Sequence, residues 1–182
     1  MYLLKYKSLN GQTALGRGFV DGNSAVYGNT GSTNTKGMDW GETTGKYPMK
    51  IFGVEDFWGN LYQWCDGCYN SSSRYLLTSY DPANFNDTGS NYTQRHQMST
   101  SDTGNYMNKV AGTSEGGFTP IGGNFSGSAT TYWSDAGISD ASRCVRVSGS
   151  WNSTDLAGPF YFYAYDAASY SYAYLGFRTM YI

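Results

Sequence analysis

The stretch from Tyr161 to Tyr174, YFYAYDAASYSYAY, places tyrosine on every second position twice over. A period of two is the mark of extended backbone, where successive side chains point to opposite faces. Tyr161, Tyr163 and Tyr165 therefore share one side of one extended segment, and Tyr170, Tyr172 and Tyr174 share one side of another. Phe162 and Ala164, then Ser171, Ala173 and Leu175, take the opposite sides. Two readings compete. Packed inward, six neighbouring phenols would each need a buried hydrogen-bond partner. Turned outward, they offer wide, rigid contact area with few rotatable bonds, set among small residues as in antibody combining sites. Each ring brings ~150–250 Å². Half of that from six rings is roughly 450–750 Å², close to the ~800 Å² per partner of a standard interface. The magnitude favours recognition.

The rest of the chain is punctuated by turn residues. Residues 10–47 are dominated by Gly, Asn, Thr and Ser, and no helical period survives there. Short strands are expected near Phe19–Val20 and Ala25–Tyr27. The densest apolar block, MKIFGVEDFWGNLYQWC over 49–65, predicts one short helical turn followed by a strand. Further strands are expected at Arg74–Leu77, Tyr106–Val110 and Cys144–Val147, with a last one in LGFRTMYI. The chain of 182 residues reads as one domain of α+β class, mostly irregular and β, with little helix.

Charge narrows the partners. Charged residues make up 14% and the net charge is −2, so no basic face is available for nucleic acid. No apolar run approaches the ~20 residues of a membrane span, so no direct membrane insertion is expected. The opening MYLLKYKSLN lacks the apolar centre of a secretory signal, which fits either a cytosolic protein or a domain of a longer exported chain. Asn-x-Ser/Thr sequons begin at Asn70, Asn86, Asn91, Asn124 and Asn152, as a sequence rich in these residues throws up by chance.

Catalytic chemistry finds few parts. His96 is the single histidine, in TQRHQM, and no Gly-x-Ser-x-Gly elbow accompanies it. Cys65-Asp-Gly-Cys68 has a metal-like spacing that His96 and Cys144 could formally complete, but a structural zinc site pairs both halves at short spacing. Cys65 and Cys144 read instead as small buried hydrophobes, or as a disulfide if the protein is exported. Asp39, Glu42, Glu55, Asp56 and Asp66 cluster loosely without the oxygen ladder of a calcium loop, and such residues beside Gly and Trp usually cap turns. No cofactor and no metal site is expected.

Two motifs carry a resemblance. IFGVEDFWGNLYQWCDG (51–67) resembles the Gly-Asn-x-x-x-Trp core motif of the formylglycine-generating, sulfatase-modifying branch of the C-type lectin fold. RVSGSWNSTDLAGPFYF…LGFR (146–178) is similar to the variable region of diversity-generating retroelement target proteins, framed by a Gly-x-Trp start and a Gly-Phe-Arg end. From Asn152 to Tyr174 there is no Trp, Lys, Gln, Glu or Met, residues whose codons all end in a purine. Such a gap is the trace expected of adenine-targeted mutagenesis.

The resemblance implies a C-type lectin-like domain whose variable side chains form one ligand-binding face. Carried over, the varied positions are Ser153, Asp155, Leu156, Tyr163, Tyr165, Asp166, Tyr170, Tyr172 and Tyr174, with Asn152, Tyr161, Ala167 and Ala173 beside them. Trp151, Gly158, Phe160, Gly176, Phe177, Arg178, Gly59, Asn60 and Trp64 match the framework. The implied partner is an unidentified target, a protein on a cell surface, met from a virion surface (a phage tail fibre) or from a bacterial cell surface. The enzymatic branch needs a late cysteine pair, and nothing after Cys144 supplies it. Two other classes stay open: a formylglycine-generating-type enzyme, and a virion structural or assembly module.

Overall fold

A computed structural model describes residues 16–22, 29–101, 103–107, 109–117, 119–122, 125 and 135–176. Among these residues the backbone is β-rich, with ten strands and no α-helix. The helical contribution among those residues is two three-residue 3-10 turns, Pro82–Asn84 and Thr154–Leu156. The β-rich part of the expected class is thus present, and its α part is not found among the described residues.

A small antiparallel pair, β1 (Lys50–Ile51) and β2 (Val54–Glu55), precedes the main sheet. That curled sheet is built on the long β3 (Tyr62–Asn70). It continues with β4 (Tyr75–Thr78), β5 (Thr93–Gln97), β6 (Thr103–Tyr106), β7 (Asp135–Ile138), β8 (Arg143–Val147) and β9 (Phe162–Ala164). The spatial order is β5-β4-β3-β8-β9-β7-β6, and β10 (Leu175–Gly176) runs parallel along the start of β3. Within that order of seven strands, neighbours pair antiparallel except β7 with β9. Of the expected strands, Arg74–Leu77 and Cys144–Val147 match β4 and β8 within a residue. Tyr106–Val110 is displaced: β6 ends at Tyr106 and Val110 only forms a bridge with Pro120. Phe19–Val20 is irregular, and Ala25–Tyr27 and the end of LGFRTMYI lie outside the described residues.

The helical turn expected around Trp58 does not form, for a local reason. Asp56, Gly59 and Asn60 all have positive φ, at 53°, 81° and 62°. Three left-handed residues in five break any helical path. At Gly59 the φ leaves room for glycine alone, because a Cβ there would sit 2.8 Å from the Phe19 carbonyl oxygen. The kinks serve a join: Gly59 N–H donates to Ser148 O, Asn60 N–H to Phe19 O, and Trp151 N–H to Asn60 O. The Gly-Asn motif and the Gly-Ser-Trp motif are thereby tied together, with Trp58 fully buried beside them.

Side-chain alternation sorts the sheet into two faces. One face packs Phe162 and Ala164 of β9, Ala136 and Ile138 of β7, and Val145 of β8 into the main core with Leu76 and Met98. Each large apolar side chain buried this way contributes ~1.5–3 kcal/mol, so this face holds the domain together. The other face carries the tyrosines.

Candidate recognition face

The register places the second face residue by residue. Arg146 of β8 stands opposite Tyr163 of β9 on one side and Trp64 of β3 on the other, and Gly137 of β7 stands beside Tyr163. Paired residues share a face, so Arg146, Tyr163 and Gly137 point away from the core. A Cβ at Gly137 would lie 2.4 Å from Tyr163 Cε2, so any larger residue there must shift that ring. The bare backbone there is the floor on which that ring lies.

Seven rings run over this face in an unbroken series. Tyr165 meets Tyr163 at 5.1 Å between centroids, Tyr163 meets Tyr161 at 5.9 Å, and Tyr161 meets Tyr62 at 5.4 Å. Tyr62 then meets Tyr174 edge-on at 5.6 Å, Tyr174 stacks on Tyr172 at 4.7 Å, and Tyr172 stacks on Tyr170 at 5.4 Å. Such contacts contribute ~0.5–1.5 kcal/mol per pair beyond area burial. Arg146 closes the series into a ring around itself. Its guanidinium carbon lies 4.1 Å from the Tyr62 centroid, 4.5 Å from Tyr163 and 5.9 Å from Tyr170. Asp166 Oδ2 sits 2.8 Å from its Nη1.

Burial divides the tyrosines position by position. Tyr172 is 58% exposed, and Tyr163, Tyr165, Tyr170 and Tyr174 are half-buried. Tyr161, expected among the presented residues, is 4% exposed and belongs to the layer beneath, because Tyr62 and Tyr163 cover it from both sides. Ser153 is buried too, at 5% exposed: its Oγ pairs with the Tyr62 hydroxyl at 3.0 Å and accepts Ser150 N–H. Some phenols meet each other, as Tyr170 and Tyr174 do at 2.9 Å. Burial, then that hydrogen bond, holds the Tyr174 phenol well above its ordinary pKa. Asp166 is half-buried, while Ala167 and Ala173 are exposed on the same segment. Asn152 and Asp155 are exposed and Leu156 is half-buried on the turn around Ser153, which reaches the rings through Tyr62.

Tyr170 to Tyr174 is not the strand that its alternation suggested. Its backbone makes local turns, Tyr170 N–H to Ala167 O and Leu175 N–H to Tyr172 O, and the rings stack without a sheet ladder. Tyr62, Arg146 and Gly137 join the face without having been singled out in sequence. For Arg146 the signal was present: a cation between Val145 and Val147 on a strand must face away from the core those valines enter. Of the framework positions, Gly59, Asn60, Gly158 and Phe160 are buried and Trp64, Trp151 and Gly176 half-buried; Phe177 and Arg178 lie outside the described residues.

Elsewhere, the other groups weighed in the sequence are engaged locally. His96 Nε2 lies 3.0 Å from Pro120 O and 3.2 Å from Thr119 Oγ1. Cys65, Cys68 and Cys144 are free thiols, so no Cys65–Cys144 disulfide is present. Burial, helped by Asp66, pushes Cys65 up to about 11; burial, helped by Asp87 and Asp66, does the same to Cys144. Such thiols stay protonated near neutrality and are poor nucleophiles. Glu55 clamps a loop, accepting Gly31 N–H, Thr33 N–H and the hydroxyls of Ser32 and Thr33. Burial alone would raise its pKa, but these donors lower it on balance. Asp39 and Glu42 likewise accept Phe52 N–H and Thr44 N–H. Asn70 is fully buried, its amide donating to Ser139 O and Ala141 O, so that sequon is closed to a glycan. A cleft of about 120 Å³ lies beside Asp56, Asn60 and Gln63. That is well short of the ~300 Å³ at which ligand pockets begin. Among the described residues no group of three His, Cys, Asp or Glu side chains could hold a metal ion.

The ring-lined face is the surface feature that the sheet assembles from distant parts of the sequence. Comparison with known proteins adds no relative: no family model, no curated protein and no solved structure matches this sequence.

Proposed function

We propose that this protein is a non-enzymatic recognition domain whose tyrosine face binds a protein target by shape and ring contact. The observation that carries the reading is the division of the sheet into an apolar core face and a second face of seven tyrosines, with Tyr172 58% exposed at its rim. Monomers rarely expose large contiguous apolar patches without use, and a ring series that reaches solvent fits such a use. Because the core sits on the other face, substitutions at the rim leave the scaffold's packing untouched. In the finer form of the proposal, the protein is a diversity-generating retroelement target protein of C-type lectin-like fold, carried on a virion or bacterial surface. The motifs at 51–67 and 146–178 and the absence of purine-ending-only codons from Asn152 to Tyr174 support that form.

The experiment has two arms. Wild type and a Tyr172→Ser, Tyr165→Ser variant are compared for retention on a panel of bacterial cells, with thermal unfolding as the control. Retention by wild type and its loss in a folded variant is the expected result; equal behaviour of the two, bound or unbound, removes the recognition reading. Separately, a near-copy of codons 146–178 beside a reverse transcriptase gene, differing only at adenines, is expected in the neighbouring DNA. Its absence removes the retroelement form alone.

A further inference from the structure

Arg146 is poorly satisfied for a buried charge. Its side chain is 8% exposed, yet neither Nε nor Nη1 donates a hydrogen bond to any described residue. The rings of Tyr62 and Tyr163 attract the cation but supply no carbonyl or carboxylate lone pair to its N–H groups. Asp166 brings the counter-charge at 2.8 Å, but its Oδ2 also completes no hydrogen bond, so the pair meets by charge without alignment. A buried charge is stable when it is both paired and hydrogen-bonded. The guanidinium fork is best met by a carboxylate that takes two parallel N–H···O bonds. Asp166, moreover, heads a segment whose backbone bonds are local turns, so its carboxylate can leave Arg146 without unzipping a strand.

We infer that Asp166 is a placeholder. The partner presents a carboxylate, from an Asp or Glu side group or a polypeptide's terminal carboxyl, which takes the Arg146 fork and releases Asp166 toward solvent. Exchanging one carboxylate for another keeps the buried site neutral. Tyr163 and Tyr170 flank the entry and exclude water from the new pair, where charge-assisted bonds are strongest. This inference rests on the reading of the face as a recognition surface and adds the chemistry of the target: an acidic group set in the patch it presents.

The test uses the whole ¹⁵N-labelled protein and sodium acetate as the probe, with sodium chloride at equal ionic strength as the control. The Arg146 Nε–Hε signal and the tyrosine ring signals are followed. Acetate is expected to produce a saturable shift that chloride does not. Asp166→Asn should tighten acetate binding severalfold, because the internal competitor is gone. Arg146→Lys, which keeps the charge but loses the fork, should weaken it, and Arg146→Met should abolish it. A merely structural ion pair would make both single-site changes act in the same direction. Should Arg146→Met fail to fold, Arg146→Lys and Asp166→Asn carry the comparison. The inference is overturned if acetate and chloride act alike on wild type, or if Asp166→Asn binds acetate no more tightly. Either result leaves the cell-retention experiment on Tyr172 and Tyr165 undisturbed, so the two ideas fail separately.

Discussion

The two faces of β9 use the same three residues of backbone for opposite ends. Inward, Phe162 and Ala164 are at most 5% exposed and join Ile138 and Val145 in close packing. Outward, Tyr163 lies between a bare glycine and a guanidinium, and its neighbours in the ring series grade from buried Tyr161 to open Tyr172. Cohesion on the first face comes from apolar area. On the second it comes from ring-to-ring and cation–π contact, which tolerates a wet edge because phenols and guanidinium keep polar tips. A face held this way can be ordered and still available.

The sharpest way to break the comparison is to move a large change from one face to the other. Phe162→Ala should cost ~3–5 kcal/mol in urea unfolding, since it opens a cavity in the core. Gly137→Ala acts from the ring side: its methyl must displace Tyr163, and roughly 1–3 kcal/mol of strain is expected. Near-UV circular dichroism should change more for Gly137→Ala than its stability loss alone would suggest. If instead it is silent, Tyr163 is not seated on that glycine.

Titration separates the faces more gently. Cys65 is held up to about 11 on the core side, so at about pH 8 native protein should react with a thiol reagent on the order of a hundredfold more slowly than the unfolded form. The sign follows from the raised value: the folded state keeps its proton longer, so the contribution is complete below the unfolded thiol pKa and is lost as pH rises through about 11. Tyr174 behaves alike at higher pH, and its phenol should ionise after those of the unfolded protein in an absorbance titration. The smallest effect belongs to Tyr172→Ser, expected at about 0.5–1 kcal/mol, because its ring is mostly in solvent and its two stacking contacts are correspondingly weakened. A larger loss would mean that the outer stack, and not only the inner rings, holds the fold.

The alternation of Tyr161 to Tyr165 was legible, down to which residues oppose the rings, because a strand's period is a local property. The same alternation misled at Tyr170 to Tyr174, where stacking holds the rings in line without strand backbone. Trp58 shows the converse: its apolar neighbours suggested a helical turn, but left-handed Gly59 and Asn60 were spent on joining two distant motifs.

By itself the order of residues determined a β-rich, turn-broken body and a tyrosine-laden strand with two unlike sides. Only the three-dimensional assembly decided how deep each phenol sits, because depth depends on which strands flank β9. Those strands, with β3 beyond β8, bring Arg146, Gly137 and Tyr62 to the rings from 17, 26 and 101 positions away from Tyr163 in the sequence. Separation on that scale leaves no periodic trace, since ring stacking and ion pairing act across space and are blind to the distance along the backbone.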